Sequence, residues 1–107
     1  MSPQLPTPIA HLIEAVSSGD TDAFLGTFTA SGVVEDSDRV FSGPTDIRRW
    51  SDAEFIGKRA RLLIYSIDIF DDQALVVADV RSTGFNGPST FTFTVEDGAV
   101  SAMKIRA

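Results

Sequence analysis

Residues 89–106 read STFTFTVEDGAVSAMKIR. Phe91, Phe93 and Val95 alternate with Thr90, Thr92 and Thr94, the period of two that sends successive side chains to opposite faces of a strand. Asp97-Gly98 interrupts with a pair of residues suited to a two-residue hairpin turn, and Ala99 to Arg106 reads as the returning strand. An apolar face backed by a threonine face predicts an antiparallel hairpin resting one side on a core.

Working backwards, Ala60 to Phe70 and Ala74 to Thr83 carry two further strand signals, separated by Asp71-Asp72-Gln73 and followed by the turn residues Asn86-Gly87-Pro88. The second half of the chain is therefore a four-strand meander. Its third-from-last strand has apolar residues on both sides, Leu75 and Val77 against Val76, Ala78 and Val80. One layer of helices covers one face of a sheet, so a second apolar face wants another cover, and a second copy of the chain supplies it most simply. A homodimer packed through the sheet is expected.

The first half is helical in character. Ile9, Leu12, Ile13 and Val16 recur at helical spacing between Pro8, which suits a first turn, and Gly19, which suits a stop. The spacing predicts a helix from Thr7 to Ser18, preceded by a loose lead-in over residues 1–7. Asp20 can cap a shorter helix that buries Phe24, Leu25 and Phe28 and breaks at Ser31-Gly32. Val33-Val34-Glu35 and Arg39-Val40-Phe41 read as two short strands around an Asp-Ser-Asp turn. Ile47 and Trp50 then mark the inner face of a third helix, with a possible restart at Ser51-Asp52-Ala53-Glu54 and an end at Gly57. Three helices on a curved, mostly antiparallel sheet make an α+β fold, and 107 residues make it a single domain, 1–107.

Composition excludes several functions. Fifteen acids against nine Lys plus Arg give a net charge of −6, the wrong sign for a nucleic-acid footprint or an anionic membrane surface. No cysteine means no thiolate nucleophile, and no histidine or carboxylate set has metal-ligand spacing; neither a metal nor a cofactor is expected. The N-terminal stretch lacks the pattern of a secretory signal and no apolar run reaches membrane-spanning length, which makes a cytoplasmic setting the expectation. Phosphate loops, dinucleotide fingerprints and nucleophile elbows are all missing.

The candidates for chemistry are acids. Glu35, Asp36 and Asp38 cluster where the first strand ends; Asp36 reads either as a turn acid or as a proton-transfer group at a pocket mouth, and alternation puts Glu35 on the opposite face, free to meet Arg39. Asp79 interrupts an apolar strand, where a carboxylate needs a partner, and reads either as an outward acid paired with Arg81 or as a buried acid–base group. His11, the single histidine, lies off the apolar stripe of its helix. Trp50, Phe55, Tyr65 and Phe91 could line an apolar cavity.

With IEAVSSGDTDAF, GVVEDSDRVFSG, TDIRRWSDAEFIG and a closing DGAVSAMKI in this order, the chain resembles the nuclear transport factor 2-like superfamily, and within it the small bacterial SnoaL-like and ketosteroid isomerase-like domains, from about Ile9 onward. The resemblance implies a cystatin-like cone with a pocket at one end, lined here by Leu12, Trp50, Phe55, Tyr65 and Phe91. It implies a small, largely apolar ligand and, where there is catalysis, proton transfer of the isomerase, cyclase or dehydratase kind. Ketosteroid isomerases carry their base in a Val-Glu-Asp stretch, which Val34-Glu35-Asp36 matches, so Asp36 is the implied base, with Asp79 or Tyr65 as its polar partner. The oxyanion donors of that family fall on Leu12 and on Ser89 or Thr90, so steroid isomerisation by that arrangement is not implied. The alternative is a non-catalytic ligand-binding or dimerisation module.

Overall fold

A computed structural model describes residues 5–107; residues 1–4 of the expected lead-in lie outside the described part. Helix α1 spans Thr7–Ser18, with Pro8 in its first turn. Its buried residues are Ile9, Leu12, Ala15 and Val16. Gly19 ends it at φ 70°, a left-handed conformation that glycine adopts without steric penalty, and Asp20 closes the turn by donating its backbone N–H to the carbonyl of Ala15 at 2.9 Å. The Asp20 side chain then caps α2, Thr21–Gly26, by accepting from the Ala23 N–H at 3.0 Å.

Strand β1 covers Phe28–Asp36 and β2 covers Arg39–Ser42. The first strand is thus longer than its apolar residues suggest, and Phe28 belongs to it rather than to α2. Its register is interrupted between Phe28 and Val33, where Gly32 lies against the Phe28 ring; a side chain at 32 would crowd that ring at 3.0 Å. Helix α3, Gly43–Glu54, is one continuous piece, without the restart expected at Ser51. Ser51 is fully buried and its hydroxyl accepts from the Ile56 N–H at 3.4 Å, so it ties the end of α3 to a single 3-10 turn, Ile56–Lys58. The meander follows as β3, Arg61–Phe70; β4, Gln73–Arg81; β5, Gly87–Glu96; and β6, Ala99–Arg106.

The six strands form one sheet in the order β2-β1-β6-β5-β4-β3. Four of its neighbour pairs are antiparallel, but β1 lies parallel to β6, so the sheet is mixed. Helices on a mixed sheet give the α+β class; four of the five pairings are antiparallel as the expected mostly antiparallel sheet has them, and the parallel pairing of β1 with β6 is the part that expectation did not specify. Alternation along each strand sorts the two faces. Val34, Ala74, Val76, Ala78, Phe91, Phe93 and Met103 point to the helices and are all buried. No helix among the described residues is long and apolar enough to cross a membrane.

Candidate functional site

Three strands bring the inner-face residues of the site into register. Asp36 on β1 stands beside Ile105 on β6, which stands beside Phe91 on β5. Ser89 lies one inner-face position further along β5, opposite Ala78. The end of α3 roofs this row with Trp50, Glu54 and Phe55. Between roof and sheet is a cavity of about 270 Å³, bordered by Asp36, Arg39, Trp50, Glu54, Phe55 and Phe91, with Ser89, Val80, Phe85 and Ile105 also on its wall.

The roof is aromatic. Trp50 is 3% exposed and stacks with Phe55 at 5.0 Å between ring centroids and with Phe41 at 5.9 Å. Its indole is also a donor, and the Nε1–H meets Asp36 Oδ2 at 3.1 Å. Arg39 Nη2 reaches the same oxygen at 2.8 Å. The guanidinium simultaneously takes Glu54 in a two-pronged grip, Nη1 to Oε2 at 2.8 Å and Nη2 to Oε1 at 2.7 Å, and it lies over the Phe41 ring. One arginine on β2 therefore ties β1 to the end of α3 across the cavity mouth. Its hydrogen bond to Glu54 holds that carboxyl below the ordinary glutamate range, so this grip stays closed through neutral pH and loosens only as acid protonates Glu54. The same bond raises the Arg39 guanidinium further above its usual value.

Several expectations need correction. Leu12 is fully buried in the α1 side of the core and does not border the cavity, because α1 packs at a different part of the sheet. Tyr65 is 65% exposed; the register of β3 shifts between Ile64 and Ser66, which leaves Tyr65 without a partner on β4 and outside the cavity. Asp79 is only 7% exposed but alternates with Ala78 and Val80, so it stands on the outer face of the sheet, where Arg81 Nε reaches it at 2.7 Å. It does not meet Asp36. Arg39 does not pair with Glu35. Glu35 turns to the outer face, where Lys104 is its register partner and Arg106 reaches it at 3.3 Å. His11 is exposed on α1.

Two site residues escaped the sequence reading. Glu54 was read only as part of a helix signal; its place became meaningful once Arg39 was found 2.7 Å away. Ser89 enters the sequence reading only as one of two positions, with Thr90, on which an oxyanion donor of the resembled family falls. It is 4% exposed, borders the cavity, and its hydroxyl has no hydrogen-bond partner among the described residues. No group of three or more His, Asp or Glu side chains among the described residues is placed to hold a metal ion.

No family model matches the chain, and no curated protein matches it. Solved structures do. A "putative polyketide cyclase" from Sinorhizobium meliloti is 32% identical over 95% of this chain and 95% of its own, with a TM-score of 0.86. A Mycobacterium tuberculosis protein in complex with estradiol-17beta-hemisuccinate superposes with the same TM-score, 0.86, at 15% identity over 97% of this chain and 95% of its own. An NTF2-like protein of unknown function from Cytophaga hutchinsonii gives 0.81 at 10% identity over 99% of this chain and 93% of its own. The last two speak to the fold alone.

Proposed function

Since the chain belongs to the nuclear transport factor 2-like superfamily, we propose that its cavity binds a small, largely apolar molecule and that Asp36 takes a proton from it, as an isomerase, cyclase or dehydratase base would. The observation that carries this reading is the placement of Asp36: an inner-face carboxylate on the wall of a cavity that also presents the apolar side chains of Trp50, Phe55, Phe91, Val80 and Ile105. About 270 Å³ is just below the range of about 300–1,000 Å³ usual for ligand sites, so the ligand is small. Polar groups in an aromatic cleft fix orientation, and a positioned carboxylate is a competent general base.

A direct test uses the chain's single tryptophan. Its indole N–H gives one cross-peak in a proton–nitrogen correlation spectrum, and that N–H donates to Asp36 on the cavity wall. Small neutral alcohols and ketones should shift the peak saturably, and Ser89→Phe, which fills the cavity, should abolish the shift without unfolding the protein. Any compound that is also converted should be converted at least about a hundredfold more slowly by Asp36→Asn. Saturable binding with no conversion of any compound would leave a binding module. One observation favours that second reading: Asp36 Oδ2 is occupied by both Trp50 and Arg39, contacts that also serve to lock α3 onto the sheet.

The same proposal includes a homodimer through the outer face of the sheet. That face carries Leu63, which is 54% exposed and stands opposite Asp79, together with Leu75 and Val77 further along β4, Ala102 on β6, and threonines at 90, 92 and 94 on β5. Multi-angle light scattering at high micromolar concentration should give twice the mass of the chain, and Leu63→Glu should return it to that of a monomer. A wild-type monomer under those conditions, or an interface formed by the helices, would remove this part of the proposal.

A further inference from the structure

The two oxygens of Asp36 are not equivalent. Oδ2 accepts from Trp50 Nε1 and from Arg39 Nη2, while Oδ1 has no partner among the described residues. The one arginine at the mouth is committed to Glu54 and Asp36, so two carboxylates face the cavity against one guanidinium, and the net charge there is negative. The chain's overall charge of −6 adds to it. Ser89 supplies a second polar group on the same wall: the residue is 4% exposed, and its hydroxyl, which makes no hydrogen bond among the described residues, stays open to the cavity. It stands two strands away from Asp36 and one inner-face position along. With strands about 4.8 Å apart and residues about 3.4 Å apart along each, the two Cα atoms are roughly 12 Å apart. A molecule that meets both polar groups spans most of the cavity.

From this geometry we infer that the ligand presents a hydrogen-bond donor, a hydroxyl or an amine, to Asp36 Oδ1, that its far end reaches Ser89, and that anionic molecules are excluded. This rests on the reading of the cavity as a ligand site. A ketone oxygen placed at Oδ1 would set acceptor against acceptor. An incoming carboxylate would be a third anion around a single guanidinium that Asp36 and Glu54 already share.

The anchoring of Oδ2 gives the inference a consequence that a plain carboxylate in a pocket would not have. In Asp36→Asn the amide oxygen is the only atom able to accept from Trp50 and Arg39, so it takes the Oδ2 position. The amide NH2 then stands where Oδ1 stood, a donor in place of an acceptor. The variant should invert the ligand preference rather than merely weaken it.

Three probes of similar size separate the outcomes: para-ethylphenol as donor, para-methylacetophenone as acceptor, and para-toluate as anion, each titrated against the Trp50 indole cross-peak. In the wild type the phenol should bind about tenfold or more tighter than the ketone, with the anion weakest. In Asp36→Asn the ketone should overtake the phenol. Ser89→Ala should weaken the ketone and the phenol without reversing their order in the wild-type background. A ketone that equals or exceeds the phenol in the wild type overturns the donor inference while the ligand site stands. Tightest binding of para-toluate overturns anion exclusion. If none of the three moves the peak up to millimolar concentration, the ligand site and the inference fall together. Should Asp36→Asn not fold, the wild-type ranking decides alone.

Discussion

Replacing Trp50 with alanine should destabilise the protein by about 3–5 kcal/mol in a denaturant titration followed by circular dichroism. The indole is 3% exposed and is sandwiched between Phe41 and Phe55, so the substitution removes the centre of an aromatic stack. It also takes one of two donors from Asp36. Trp50→Phe separates the effects: it keeps a ring in the stack and loses only the N–H, so its loss should be clearly smaller. A loss below about 1 kcal/mol for the alanine variant would contradict the buried position, since that is the scale of surface substitutions.

Gly57→Ala should destabilise by about 3 kcal/mol, the upper end of what overpacking does. A Cβ at that position would stand 1.7 Å from the carbonyl oxygen of Asp52, a backbone atom that cannot swing away. The turn after α3 must enter the 3-10 segment this tightly because Phe55 and Ile56 both turn into the core. Gly26→Ala is the internal control. Nothing lies within 4 Å of a Cβ there and the residue ends α2, so alanine should be neutral or slightly stabilising. Equal denaturation midpoints for the two variants would show that the close approach at residue 57 is relieved by a small backbone shift.

The parts legible in the sequence were those governed by local periodicity. Helix α1 has the bounds its apolar stripe and flanking Pro8 and Gly19 predict, and β6 has the bounds set by Asp97-Gly98 and the chain's alternation. The Asp20 cap was equally local. β1 is longer than its sequence suggests because Ser31-Gly32 looks like a break; the strand passes through it by way of a register irregularity beside the Phe28 ring. The parallel partnership of β1 and β6 had no local signal, since periodicity fixes which way a side chain points but not which strand lies beside it. The site divides in the same way. Alternation alone sends Asp36 and Glu35 to opposite faces, and helical spacing alone turns Trp50 inward. Asp79 is harder to place, because its low exposure and its outward direction coexist; the outer face supplies its partner, Arg81. Glu54 and Ser89 owe their places to contacts across the fold.

The position of β6 between β1 and β5 also sets an order of assembly. A ribosome delivers β1 and β2 early, yet the edge of β1 that will face β6 has no partner until some sixty residues later, after the whole meander has been made. Until then the nascent chain holds two separate pieces of sheet, each with an open edge, the kind of surface on which unfinished chains stick to one another. Asp36 comes from one piece and Phe91 and Ser89 from the other, and they become neighbours only when Ile105 is laid between them. No chain synthesised short of β6 can therefore contain the cavity. A molecule that binds there recognises only chains in which β6 has docked, and would stabilise newly made chains at that step.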